Sequence, residues 1–332
     1  MIQKDGFLNK LLIRQINRYL KDGTAIPEGF HDLFSAISNA YDHYEQDRSL
    51  LERALELSSN ELSKTNKKLV EANNQVEAKN HDLISSINYA KMIQEAIFPP
   101  ETLITKLLPE SFIFYKPKEI VSGDFFWVED LKEEIFIAAV DCTGHGVPGA
   151  FMSIVGNNLL NDALREQKIT EPGKILDRLN QGVNNTLRQT VDDASVKDGM
   201  DIAFCKIDRK KQQLEYAGAY NPLYLIRNGQ MIETKADKFP IGLSFGDNPK
   251  NYTNHIIPYQ DGDMVYIFTD GFADQFGGPL GKKYKYERFK TFLLEIHQQH
   301  PILQKQIIEQ EFRDWMGDLV QIDDTLIIGI KL

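Results

Sequence analysis

The sequence predicts an α+β protein in which a layered β-sandwich follows a long helical coiled coil. Three observations carry that reading. Residues 30–98 contain neither glycine nor proline, so one helix can run through all of them. Beyond Pro99-Pro100, apolar runs of strand length arrive in groups with helical stretches in pairs between them. That is the order of an α+β sandwich, not of a doubly wound parallel sheet. The 332 residues are 42% hydrophobic and 26% charged, enough for an ordinary core and more than one domain. The expected division is 1–29 as an N-terminal helical segment, 30–98 as a dimerising coiled-coil helix and 99–332 as the sandwich domain.

Residues 1–26 read as an amphipathic helix, with Phe7, Leu8, Leu11, Leu12, Ile16 and Tyr19 at helical spacing until Gly23 and Pro27. The next helix would reach about 100 Å at ~1.5 Å per residue. Leu55, Leu62, Leu69, Val76, Leu83, Ala90 and Ile97 recur every seven residues, and Asn66, Asn73 and Asn80 recur in the column four further on. Leucine at d with asparagine at a favours parallel dimers and fixes register, at some cost in stability. A homodimer through this helix is expected, weak enough to change its packing; the alternative is a long helix folded back on its own domain.

In the sandwich domain, strands are expected at 111–115, 124–128 and 135–140, then helices at 147–166 and 172–190. Strands return at 202–207, 214–219, 223–226, 231–234, 252–257 and 264–269, with Asn228-Gly229 as a hairpin turn. Helices at 287–299 and 303–315 precede a last strand at 325–331.

Composition narrows the function classes. A net charge of -10 argues against general nucleic-acid affinity, which needs excess Lys and Arg. Cys142 and Cys205 form no CxxC pair, which removes zinc and redox motifs and fits a reducing cytosol. No run approaches the ~18 apolar residues of a membrane span, and MIQKDGFLNKLL lacks a secretory core. The expected location is the cytoplasm.

The chemistry concentrates where strands meet turns. Ile135–Val140 is a continuous apolar run, as a doubly covered strand would be; it ends on Asp141, and Gly144 and Gly146 let the backbone turn tightly after it. Asp124 in SGDFFW, Asp270 in FTDGFAD and Asp323 in QIDDTL share that position at a strand end. The four could converge at one end of the sandwich. Oxygen ligands of this kind suit Mg²⁺ or Mn²⁺. Two such ions ~4 Å apart can bind phosphoryl oxygens and generate a hydroxide nucleophile between them. Asp141, flanked by glycine-rich backbone, is the natural bridging ligand. Taken singly, each aspartate is more often a turn residue, and Asp198-Gly199 and Asp261-Gly262 read as turns only.

The order SGDFFW, DCTGHGVPGAFMS, FTDGFADQFGG and DDTLIIGI resembles the SpoIIE-type (RsbU-like) serine phosphatases, members of the metal-dependent type 2C superfamily. The resemblance covers about 98–332 and implies a four-layer α/β/β/α sandwich. It implies two divalent cations, Mn²⁺ or Mg²⁺, held by Asp124, Asp141, the backbone carbonyl of Cys142, Asp270 and Asp323, with Asp141 bridging. Asp324 is a second choice. Asp201 reads as a strand start before an accessory ligand, His145 as turn support before a proton donor, and Lys118 as a solvated lysine before a phosphate contact. Departures are small: Ser122 replaces a frequent glycine, Trp127 a frequent aspartate, and Thr325 follows Asp324 directly.

The implied activity is hydrolysis of phosphoserine or phosphothreonine on a partner protein, a STAS-domain (anti-anti-sigma-like) regulator, by water activated between the two metals. Residues 86–99 resemble the helix that enters such domains and couples dimer packing to metal binding, and an upstream signalling partner fits that arrangement. The competing reading is a non-catalytic dimeric scaffold using the fold for partner binding; the intact acidic set weighs against it. A nucleotide or small-molecule phosphatase lacks support, since no GxxxxGK[ST] loop is present.

Overall fold

The structure is a computed structural model that describes residues 8–19, 28–187, 198–242 and 250–332. Its contacts group into two compact units, Met1–Asp82 and Leu83–Leu332. Of the expected N-terminal helix, residues 1–7 and 20–26 lie outside the described residues.

In the first unit, α1 spans Lys10–Tyr19 and α2 begins at His31. Asn9 caps α1 by accepting from Leu11 N at 2.8 Å. The same residue ties the two helices: its backbone N donates to Ser38 Oγ and its Nδ2 to Asp42 Oδ1, both at 2.6 Å. Leu12 and Ile16 are buried at this contact. α2 continues unbroken to Ile97, as the absence of helix breakers requires. Its heptad residues Leu55, Leu62, Leu69 and Val76 are all more than half exposed in the single chain. No helix among the described residues is long and apolar enough to cross a membrane.

The second unit contains the end of α2, a short α3 (Glu101–Leu107) and two five-stranded antiparallel sheets. One sheet has the order β1-β12-β9-β6-β7, where β1 is Ser111–Lys116, β6 Leu223–Arg227, β7 Gln230–Thr234, β9 Met264–Phe268 and β12 Thr325–Lys331. The other has the order β2-β3-β4-β5-β8, where β2 is Phe125–Leu131, β3 Glu134–Cys142, β4 Met200–Asp208, β5 Gln213–Ala219 and β8 His255–Pro258. A small hairpin, β10 (Phe276–Gly277) with β11 (Lys282–Lys283), stands apart.

Three apolar layers follow from strand alternation, which sends successive side chains to opposite faces. Ile135, Ile137 and Ala139 of β3 meet Val265, Ile267, Leu326 and Ile328 between the sheets. Phe136, Ala138 and Val140 face the other way, onto α4 (Gly146–Asn161) and α5 (Pro172–Leu187) through Leu160, Leu176 and Val183. Tyr266, Phe268 and Ile327 pack on α7 (Tyr286–Ile296) and α8 (Pro301–Met316) through Phe289, Leu293 and Phe312. The result is the expected α/β/β/α sandwich. β3 is covered on both faces, which explains its unbroken apolar run.

Three local expectations change. Residues 252–254 are not strand: Tyr252 N donates to Asp177 Oδ1 at 2.9 Å, so α5 takes the donor a ladder would use. β9 stops at Phe268 because Thr269 turns its hydroxyl to Leu326 N, and Asp270 becomes the first residue before the one-turn helix α6 (Gly271–Asp274). α4 passes after Asn161 into a π-turn at Asp162–Glu166.

Candidate metal centre

The site is built on the end of β3. Asp141 pairs in register with Asp201 on β4, so two carboxylates lie side by side across the ladder. After Cys142 the chain is pinned to β4 by Thr143 N donating to Gly199 O at 2.9 Å, and Gly199 N to Thr143 Oγ1 at 3.1 Å. The following turn needs a left-handed residue, supplied by Gly144 with φ +85°. It folds back so closely that a side chain on Gly123 would stand 2.5 Å from Gly144 O and 3.1 Å from Cys142 O. The carbonyl of Cys142 is thereby held beside the Gly123-Asp124 peptide, while its thiol is buried in the layer against the helices.

Asp124 immediately precedes β2 and is held from four sides. Thr269 Oγ1 donates to its Oδ2 at 2.6 Å, and Tyr115 OH donates to its carbonyl at 3.1 Å. The preceding loop is gripped by Asp324, whose two oxygens accept Lys118 N at 2.7 Å and Gly123 N at 2.8 Å. From α2, Gln94 Nε2 donates to Ser122 O at 2.7 Å and Ser153 Oγ at 2.9 Å, and its Oε1 accepts Ser122 N at 3.3 Å. Gln94, Asp124 and Asp324 are all buried.

Asp270 and Asp323 arrive from the other sheet. Gly271 follows Asp270 because the carbonyl of Asp324 occupies the space a Cβ would fill. Asp323 accepts its neighbour's amide, Asp324 N, at 2.9 Å. Asp141, Asp201, Asp270 and Asp323 line one cavity of about 230 Å³ with Cys142, Gly144 and His145. Asp124 is 2% exposed and is not among the side chains lining it. His145 reaches from its turn to the 116–124 loop: Nδ1 lies 2.6 Å from Glu119 Oε1, at the exposed rim. The ammonium of Lys118 acts on Asp323 and opposes the rise that burial gives it. Trp127 is remote from the cavity, packed with Phe204 and donating to Asn161 Oδ1 at 3.0 Å.

The carboxylates hold one another in a strained electrostatic state. Burial, and then the charges of Asp124, Asp270 and Asp201, push the Asp141 carboxyl far above the usual range. Burial pushes Asp124 the same way, opposed by the hydrogen bond from Thr269. Asp201 rises to about 7 through burial and then Asp270. Asp270 rises to about 6 through burial and then Asp274 and Asp323. Groups this close cannot all ionise near neutral pH without positive charge among them.

Divalent cations fit that donor set. It is all oxygen, with the single thiol turned away, which suits hard ions of the Mg²⁺ and Mn²⁺ type. Among the described residues, no three His, Cys, Asp or Glu side chains close into a ready ion cage. Repelling carboxylates stand apart around the cavity, and a bound cation would relieve the burial and mutual repulsion that raise their pKa values.

Residues 132–332 match the family described as Stage II sporulation protein E (SpoIIE). The chain belongs to the SpoIIE family. The matched span contains Asp141, Asp270 and Asp323, while Asp124 lies just upstream of it. This SpoIIE-family chain is 28% identical over 197 residues to the phosphoserine phosphatase RsbU of Bacillus subtilis (strain 168), covering 58% of this chain and 55% of that protein. It therefore spans about half the length of that curated relative. Its fold matches the SiaA PP2C domain of Pseudomonas aeruginosa with a TM-score of 0.69 and 30% identity, covering 77% of this chain and 99% of that one. A PP2C phosphatase domain with a regulatory fragment of SpoIIE from Bacillus subtilis superposes with a TM-score of 0.54 at 15% identity, over 67% of this chain and 63% of that one. The sandwich is thus the PP2C phosphatase fold.

Proposed function

We propose that this chain is a metal-dependent protein phosphatase of bacterial signalling that removes phosphate from phosphoserine or phosphothreonine on a partner protein. The observation that carries the reading is the convergence of Asp141, Asp201, Asp270 and Asp323 on one cavity in a SpoIIE-family chain. The named activity of RsbU and the PP2C fold of SiaA support it.

The proposed ligands are Asp124, Asp141, the carbonyl of Cys142, Asp270 and Asp323, with Asp141 reaching both ions. When bound, a pair of Mn²⁺ or Mg²⁺ ions neutralises phosphoryl oxygens and lowers the pKa of water at the centre. The chain's own residues set the geometry. Thr269 and Asp324 orient Asp124 and its loop; Gly144 and Gly123 allow the Cys142 carbonyl to face inward. Lys118, whose charge acts on Asp323, would meet a phosphate oxygen at the rim. Asp201 is placed to serve as a further carboxylate of the same cavity.

Regulation through α2 belongs to the same proposal. Residues 1–29, 30–98 and 99–332 would act as N-terminal helix, dimerising linker and phosphatase. The exposed heptad residues support a homodimer, and an anti-anti-sigma-like protein with a STAS domain is the proposed substrate. Gln94 is the link by which movement of the 83–97 helix would reach the Ser122-Gly123-Asp124 loop. A cytoplasmic site of action is part of this reading.

The deciding experiment is hydrolysis of p-nitrophenyl phosphate and of a phosphoserine protein with Mn²⁺, with Mg²⁺ and with chelator, beside Asp141→Ala. Metal-dependent turnover lost in the variant is expected. Turnover that survives chelation or the substitution would sink the proposal.

A further inference from the structure

A second pocket, of about 500 Å³, adjoins the metal cavity and shares Asp201 and Asp270 with it. That volume exceeds what a phosphate group needs and lies in the range that seats an organic side chain or small ligand. Its position makes it the space beside the phosphorylated residue of a bound substrate, since neighbouring residues along a peptide stand ~3.5 Å apart per step.

The lining has a definite chemistry. Asp201, Glu233, Asp270 and Asp274 supply four carboxylates, and Lys290 is the one ammonium group among the described lining residues. Lys290 is already engaged, 3.1 Å from Glu233 and 3.6 Å from Glu287, and Asp274 takes Lys283 at 2.8 Å. Even with these pairs, and with cations on Asp201 and Asp270, negative charge is in excess once a phosphate dianion enters. Aromatic faces complete the wall. Lys290 Nζ stands 5.5 Å over the Tyr224 ring, so a cation already rests on one of them.

Two further observations indicate a ligand here. Asn221 lines the pocket and is 4% exposed, yet its Nδ2 meets no acceptor among the described residues. A buried amide donor left unpaired is costly, and a small turn of the side chain into the pocket would let a substrate carbonyl satisfy it. Beside it, Tyr220 is 51% exposed and held at φ +56°, a left-handed conformation unfavourable for a tyrosine. Its amide is fixed to Asp237 O at 2.9 Å and the next residue's carbonyl to Tyr216 OH at 2.5 Å. Strain of this sort, on an exposed and rigid aromatic, gathers at binding sites.

We propose that this pocket seats a lysine or arginine side chain next to the phosphorylated residue of the substrate, so that the protein selects basic over acidic flanks. The proposal rests on the phosphatase reading above. Its test uses the full chain with Mn²⁺ and fluorescent peptides that carry a hydrolysis-resistant phosphonate in place of phosphoserine. The flanking residue is Arg, Ala or Glu, and binding is read by anisotropy. Arg is expected to bind about tenfold or more tighter than Glu, with Ala between, as opposed charge-pair and cation–π contributions at a partly desolvated site suggest. Glu233→Lys should lower affinity for the Arg peptide and raise it for the Glu peptide, a gain that mere damage cannot produce; Glu233→Gln should narrow the ratio. Equal affinities in the unmodified protein would overturn the proposal. Turnover of true phosphoserine peptides, measured alongside, keeps the two readings apart. A basic preference without turnover defeats only the phosphatase reading, and turnover with equal affinities defeats only the pocket.

Discussion

Thr269 donates its hydroxyl to Asp124 Oδ2 across 2.6 Å, while the same oxygen accepts Leu326 N at 2.9 Å. One threonine just after β9 therefore ties the central strand of the first sheet to the carboxylate that precedes β2 in the second. It favours the ionised form of Asp124, against burial and three neighbouring aspartates.

Thr269→Val keeps the shape and removes that donor. Groups that orient a ligand typically contribute about 10–100-fold to metal affinity or activity. The expected result is a loss of that size in Mn²⁺ affinity by calorimetry, with phosphatase turnover falling in parallel at low Mn²⁺ and recovering in part at high Mn²⁺. Unchanged Mn²⁺ affinity would remove Asp124 from the ligand set.

Asp141→Ala should abolish metal-dependent turnover by several orders of magnitude, because the shared ligand is lost. The same substitution should raise the melting temperature of the metal-free protein, since it removes a buried carboxylate that four neighbours repel. A lower metal-free melting temperature would show that Asp141 stabilises the fold by contacts rather than straining it.

The carboxyl pKa values set a pH dependence with a defined sign. Asp201 at about 7 and Asp270 at about 6 lie above their ordinary value of 3.8, so the folded state binds more protons than the unfolded chain between these limits. Stability of the metal-free protein must then fall as pH rises from about 4 through 7, with the buried Asp141 and Asp124 acting in the same direction. Each pKa unit corresponds to about 1.4 kcal/mol, and about 1 kcal/mol shifts the melting temperature of a domain this size by ~2–4 °C. Melts at pH 5 and pH 8 with chelator should differ by several degrees in that direction. Mn²⁺ should close most of the gap, and Asp201→Asn part of it. A chelator-treated protein more stable at pH 8 would contradict the assignment.

The sequence made some of this legible and hid the rest for a physical reason. The apolar run 135–140, the heptads of α2 and the four aspartates at strand ends are local patterns, and the sandwich and three of the cavity carboxylates follow from them. Thr269, Asp324 and Gln94 act through partners 145, 201 and 28 residues away, at Asp124, Gly123 and Ser122. Nothing adjacent in the chain marks those hydroxyl, carboxylate and amide groups as buried. Asp201 was visible as a strand start; only the β3–β4 register places it opposite Asp141. Gln94 left one faint signal, an uncharged polar residue inside the run Met92–Phe98.

Gln94→Leu should separate helix contact from catalysis. Leucine preserves bulk but leaves Ser122 N and O without their buried partner, at a cost of about 1–3 kcal/mol. The Asp124 loop should loosen, so the Mn²⁺ concentration giving half-maximal turnover should rise several-fold, with turnover at saturating Mn²⁺ less affected. Hydrogen exchange should quicken at 118–124. A change in maximal turnover alone, with metal dependence intact, would argue against a path from α2 to Asp124.

Leu69→Pro tests that path from its far end. Leu55, Leu62, Leu69 and Val76 are each more than half exposed, a stripe that one chain leaves uncovered and a second α2 would bury. Proline in a helix interior costs about 3 kcal/mol or more and breaks the seam. In sedimentation, the unmodified protein is expected as a concentration-dependent dimer and the variant as a monomer. If α2 packing reaches Asp124 through Gln94, the monomer must also show altered Mn²⁺ dependence, although Leu69 touches no ligand. A monomer with unaltered metal dependence would confine the heptads to assembly. A dimer with unaltered turnover would remove them from both roles.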